Sequence, residues 1–401
     1  MKIIKGKDGT NYLLPFILVT SLFFLWGFAH SILDVLNKHF QEVLVISKAR
    51  SGLVQAVVYG GYFLMALPAG VFIKRFSYRW GVVMGLFLYA VGAFMFVPAS
   101  KIMTFEFFLA SLFVIGCGLT FLETAANPYV TELGDPKYGA SRINLAQSFN
   151  GLGWIFGPLV GGVIVFQGGS VALPYTIIGA IVLLVALVFV KIPLPEIKRA
   201  LDDVSSTQVK PLIKHITFVF GAIALFFYVA AQTGINSFFI NYVTEASPSI
   251  DNTKASVLLS FGGMGLFMVG RILGSVLMNK IAPSRLLSYF SVGAIITMLL
   301  VIFGSGWWAI TALFFCYLFE SIMFPTIFAL SLDGLNGVQT KKASSILIMC
   351  IVGGAIAPVL MGLIGEEKMS LGFIVPLICF VVIAFYAFFR VNKDNRLELY
   401  D

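Results

Sequence analysis

Asp34 stands in LFFLWGFAHSILDVL and Glu123 in FVIGCGLTFLETAANPYV, two stretches otherwise apolar enough to lie in lipid. A charge at bilayer depth costs at least about 2.5–3.5 kcal/mol, so such acids face a protein interior or a water-filled path. A carboxyl in a dry pocket keeps its proton and ionises when water reaches it. The chemistry on offer is reversible protonation. Glu320 repeats the setting of Glu123, because each precedes a proline (Pro325 and Pro128) by five residues. It is therefore a candidate hydroxyl acceptor or second proton site. His30 lies one helical turn before Asp34, on the same face, where its protonation would bias that of the acid.

Amides accompany these acids. Asn144, Gln147 and Asn150 recur every three residues, within one arc of a helix, and Gln232 and Asn236 share a face four residues apart. A sugar offers a ring of hydroxyls and one apolar face. Carboxylates and amides supply its acceptors and donors, and rings such as Trp26 and Tyr62 would cover its C–H face. The plainer readings are also physical. Buried amides in membrane helices bond between helices. Asp34, followed closely by Asn37, Lys38 and His39, would reach the outer interface if its helix ended early. Arg271, opening GRILGS, would pair with an acid or brace the linker end of its bundle.

The same residues exclude other chemistries. His30, His39 and His215 have no metal-ligand spacing, and no GxxxxGK[ST] loop occurs to bind a nucleotide. No metal and no cofactor are expected, and an enzyme is disfavoured. Cys117, Cys316, Cys350 and Cys379 fall in apolar segments, as packing residues do. Net charge is +8, but its distribution points to a membrane surface and not to nucleic acid.

The elements that must position these groups are lipid-spanning helices. The 401 residues are 59% hydrophobic and 11% charged, against about 25% charged in soluble domains. Apolar runs predict twelve spans, near 12–37, 52–74, 82–100, 104–132, 141–166, 173–191, 214–243, 255–279, 285–304, 307–332, 343–365 and 371–390. The predicted organisation is an N-terminal six-helix bundle (1–191), a cytoplasmic linker (192–213) and a C-terminal six-helix bundle (214–401). With both termini cytoplasmic, that side carries twenty lysines and arginines against six opposite, a clear positive-inside bias. The halves repeat: GYFLMALPAG (61–70) matches GLFMVGRILG (265–274), and Gly153, Pro158 and Gly162 match Gly353, Pro358 and Gly362. Parallel six-span repeats mark a transporter class that binds substrate at the midplane between halves.

SLFFLWGF (21–28), AGVFIKRFSY (69–78), LETAANPYV (122–130), RINLAQSFN (142–150), YVAAQTG (228–234), GRILGS (270–275) and FPTIFALSL (324–332) carry a resemblance along all twelve spans. The chain resembles the fucose–galactose–glucose:proton symporter family of the major facilitator superfamily. The resemblance implies an all-α polytopic membrane protein of two pseudo-symmetric six-helix bundles, the major facilitator fold. It implies that Asp34 and Glu123 couple a proton to the sugar, that Glu123 and Glu320 stand on opposite walls of one central cavity, and that a monomer works in a bacterial inner membrane. Glu123, where glucose–galactose members often carry a glutamine-type residue, favours the fucose-transporting branch. The departures are His30, where the fucose-transporting branch is asparagine-rich, Glu320 with Met323 and Phe324 in the tenth span, and Lys74, where the general superfamily signature has an Asp. The expected activity is proton-coupled import of L-fucose or a related monosaccharide. The alternative is a glucose/galactose or amino-sugar porter, with sodium as the rival ion.

Overall fold

Backbone polar groups in lipid must be satisfied within their own segment, so long apolar runs fold as helices. The computed structural model describes residues 12–134, 139–192, 212–278, 280–335 and 337–398, and all their regular structure is helical. Twelve helices are long and apolar enough to span a membrane. In chain order they are α1 (Leu13–Val43), α2 (Lys48–Phe76), α3 (Tyr78–Ile102), α4 (Phe105–Val130), α5 (Leu145–Phe166) and α6 (Ala172–Lys191). The second set is α7 (Ile216–Ala246), α8 (Asn252–Leu277), α9 (Pro283–Phe303), α10 (Gly306–Leu332), α11 (Ile346–Ile364) and α12 (Met369–Asn395). Most of the expected linker lies outside the described residues.

Local chemistry sets the ends of these spans. The Asp251 carboxylate caps α8 by accepting from the Lys254 backbone N–H at 2.7 Å, which holds that acid below its usual range. Pro283 opens α9, where a missing N–H costs nothing. Gly306, at φ 58°, makes the left-handed turn on which α10 opens. The first span was expected to stop near residue 37, yet α1 runs to Val43. Asn37 is buried, and Lys38 reaches Glu42 at 3.2 Å one turn on, so polar residues carry the helix past its apolar run.

The chain divides into two compact units, Met1–Leu44 with Val57–Asp203, and Val45–Ala56 with Val204–Asp401. In the first, α1 and α5 meet through glycine. A Cβ on Gly153 would strike the Phe24 carbonyl and, at 2.6 Å, the Phe28 nitrogen, so any larger residue would force the helices apart. The Asn150 side-chain amide donates to the Phe23 carbonyl at 3.1 Å along the same seam.

The second unit includes the opening turns of α2. The Lys48 ammonium lies 2.6 Å from Glu245 and donates to the Gly365 carbonyl at 2.9 Å. Within this unit two helices are irregular. Residues Leu259–Met264 of α8 form a π-helical segment. Span α10 is two helices, Gly306–Glu320 and Met323–Leu332, joined by a turn at Ser321–Ile322. Pro325 falls in the first turn of the second helix, where proline is tolerated. Pro128, by contrast, sits inside a continuous helix over Phe105–Glu132.

Candidate functional site: a carboxyl–phenol–imidazole cluster

Glu123 is carried on α4, half-buried, beside the Tyr62 hydroxyl from α2. Tyr62 is 7% exposed, and its oxygen lies 3.0 Å from His30 Nε2. The Trp26 ring lies edge-on to His30, 6.4 Å between centroids. Three helices therefore meet around one phenol: α1 through His30, α2 through Tyr62, and α4 through Glu123. Trp154 of α5 closes the far side, stacked on the His30 ring at 6.0 Å between centroids and 18° between planes. Tyr59, one turn before Tyr62, adds a ring 5.8 Å from His30.

Asp34 lies on α1 one turn beyond His30, 1% exposed. Its helix continues nine residues further, roughly 13 Å at 1.5 Å per residue, so an early helix end does not explain it. The remaining candidates of the first unit divide. Asn150 faces α1 and donates to its backbone, as above, so part of its hydrogen-bonding capacity braces two helices. Gln147 is half-buried one turn earlier. The side chain of Asn144 lies outside what is described.

In the second unit Gln232 is half-buried on α7, and Asn236 is 3% exposed with no partner for its side-chain oxygen among the described residues. Arg271 makes no ion pair with an acid among the described residues. Its Nε points to the Ser321 carbonyl at 3.4 Å, which has no helical donor because Pro325, four residues on, lacks an N–H, and its guanidinium lies over the Phe267 ring at 4.8 Å. Glu320 departs most from expectation. It is 0% exposed inside the second unit, and neither oxygen has a hydrogen-bond partner among the described residues. In this structure it is sealed, not displayed on a cavity wall. Glu320 ends the first helix of α10, which turns immediately after it, whereas α4 runs on past Glu123. A dry, unpartnered pocket accommodates the neutral acid far better than the anion. Glu320→Gln is therefore expected to melt within about 3 °C of the parent, less than 1 kcal/mol for bundles of this size. A much larger fall would mean that the site holds an ionised carboxylate.

No group of three or more His, Cys, Asp or Glu suited to a metal occurs among the described residues. Residues 16–351 match the model of the family described as Major Facilitator Superfamily. The chain belongs to that superfamily. This transporter is 36% identical over 412 residues to the L-fucose-proton symporter of Escherichia coli strain K12, covering 95% of this chain and 94% of that one. It is 36% identical over 390 residues to the glucose/galactose transporter of Brucella abortus biovar 1, covering 94% of each. A crystal structure of a major facilitator transporter, FucP, in the outward conformation is 37% identical with a TM-score of 0.69, covering 94% of this chain and 99% of that one. These relatives place the transporter in the fucose–galactose–glucose:proton symporter family, among carriers and not enzymes.

Sequence reading of this facilitator missed two parts of the cluster. Trp154 carried no signal beyond being an aromatic near Asn150. Tyr62 was visible only as a ring, whereas its hydroxyl meets His30 and lies beside Glu123. A phenol in an apolar span that also holds an acid is a usable signal, because a buried O–H needs a partner.

Proposed function

We infer that this protein is a proton-coupled symporter that imports a monosaccharide by alternating access, with L-fucose or a close relative as the sugar. The observation that carries the reading is the Glu123 carboxyl. It is half-buried at membrane depth beside a phenol that meets an imidazole. A group of this kind takes and gives up a proton as its surroundings change. Asp34 and Glu123 are the coupling acids. Both are also sugar contacts in this reading, as are Gln147, Asn150, Asn144 and His30, and Gln232 and Asn236 are the sugar-binding candidates carried on α7. Glu320, sealed in this structure, joins them only if the sugar-bound state uncovers it. The protein works as a monomer in a bacterial inner membrane with both termini cytoplasmic, as the lysine and arginine distribution supports.

Similarity to the glucose/galactose transporter at the same 36% supports a second reading, in which one of those hexoses is the substrate. Counterflow in proteoliposomes tests both. Vesicles preloaded with L-fucose are expected to draw in labelled L-fucose, and an inward proton gradient to drive net accumulation with external alkalinisation. Exchange restricted to glucose and galactose would establish the second reading. Sodium-driven accumulation without alkalinisation would refute proton coupling.

A further inference from the structure

Trp154 follows Gln147 by seven residues and Asn150 by four, so the three side chains leave α5 within one arc. The lipid side of this helix is elsewhere, since Leu145, Phe149, Leu152 and Phe156 are exposed along the opposite flank. Gly151, one turn before Trp154 and well away from that flank, borders open space: a Cβ there would find nothing within 4 Å. Trp154 itself is half-buried. A large ring beside open space and next to two amides suits a ligand with an apolar face and a polar edge.

The indole is held in place from α1. Its neighbour Gly153 lies against the Phe24 and Phe28 backbone, and the Gly153 carbonyl accepts from the Ser31 hydroxyl at 3.1 Å. Ser31 adjoins His30, whose ring stacks on Trp154 at 6.0 Å between centroids and 18° between planes. His30 is held in turn by the Tyr62 hydroxyl of α2, 3.0 Å from its Nε2. The brace does not enclose the indole, which keeps part of its surface accessible. Neighbouring rings are less available. Tyr59 and Tyr62 are buried, the second with its hydroxyl engaged, and Trp26 turns edge-on to His30.

We propose that Trp154 is the platform on which the pyranose ring of the substrate stacks, with His30 and Tyr62 as positioning residues that fix its plane. This rests on the symport reading above and narrows its sugar. The π face of an indole is negative and attracts the weakly positive hydrogens of C–H bonds. A pyranose with an axial 4-hydroxyl carries the hydrogens of C3, C4 and C5 on one side, as an unbroken apolar patch. L-Fucose and galactose have that arrangement, and the methyl group of L-fucose enlarges the patch. Glucose turns its C4 hydrogen to the other side. The platform therefore selects galacto-configured pyranoses, while Gln147 and Asn150 on the same arc meet hydroxyls at the edge of the ring.

Calorimetry on the purified full chain in detergent reads binding apart from transport. The parent is expected to bind L-fucose and galactose more tightly than glucose. Trp154→Leu keeps an apolar side chain and removes the π face. It should weaken L-fucose binding about two- to tenfold and erase the preference over glucose. Tyr62→Phe keeps its ring but releases His30, and it should shrink the preference; an unchanged preference would overturn the positioning role. As a second measure, L-fucose should change the tryptophan fluorescence of the parent and leave that of Trp154→Phe nearly unchanged. Parental affinity and preference in Trp154→Leu overturn the platform, as does a parent that binds glucose as tightly as L-fucose. If Trp154→Leu fails to fold, an undiminished fluorescence response in Trp154→Phe overturns it alone. A parent that binds with the expected preference but exchanges no sugar in proteoliposomes would refute the symport reading and leave the platform standing.

Discussion

Glu123→Gln is expected to abolish uphill sugar accumulation while sugar-for-sugar exchange persists at a measurable rate. The amide keeps the size and hydrogen-bonding reach of the acid, and it cannot release a proton. Asp34→Asn is expected to lose accumulation in the same way. Its carboxyl is buried well inside α1, and no helix end lies near enough to let it reach the interface. Loss of coupling corresponds to accumulation ratios falling to unity under an inward proton gradient. The check is uptake of labelled sugar into proteoliposomes with and without that gradient, beside exchange at symmetric pH. Full gradient-driven accumulation by both variants would remove these two acids from the coupling mechanism.

A second large effect is expected from a single methyl group. Gly153→Ala places a Cβ against the Phe24 carbonyl and within 2.6 Å of the Phe28 nitrogen, both backbone atoms that cannot rotate away. Helices α1 and α5 must then separate, at a cost of about 1–3 kcal/mol or more. The Asn150 hydrogen bond to Phe23 should lengthen with them. Gly151→Ala is the matched control, since nothing lies within 4 Å of the added atom. That change should be neutral or stabilising by up to about 1 kcal/mol, the ordinary gain for replacing glycine inside a helix. Thermal melting of the two detergent-solubilised variants distinguishes the cases, and equal melting temperatures would show that the seam yields without strain.

The sequence made the architecture legible because lipid imposes one rule on every span. Each run long enough to cross a bilayer became a helix, and the number of spans could be counted directly. Ends were harder to read. Asn37 and Lys38 look like punctuation, yet Asn37 packs inside and Lys38 joins Glu42, so α1 continues. Repeat symmetry located Glu320 in the chain but said nothing about its rotation, and the turn at Ser321–Ile322 left it sealed. Glu123 and His30 were recognisable one by one. That they share a phenol was not, because Tyr62 is remote from both in sequence and its partnership depends on how three helices pack.

The π-helical segment Leu259–Met264 bears on how this chain tolerates insertions and deletions. A π turn is an α-helix that has absorbed an additional residue without losing its ends. Each residue advances an α-helix by about 100°, so the part of α8 before the segment is rotated against the part after it by roughly that angle. The Gly265 and Gly274 pair that mirrors Gly61 and Gly70 begins immediately beyond the segment. The segment leaves α8 a place where one residue can be removed, the π turn reverting to an α turn, without shifting the glycines downstream.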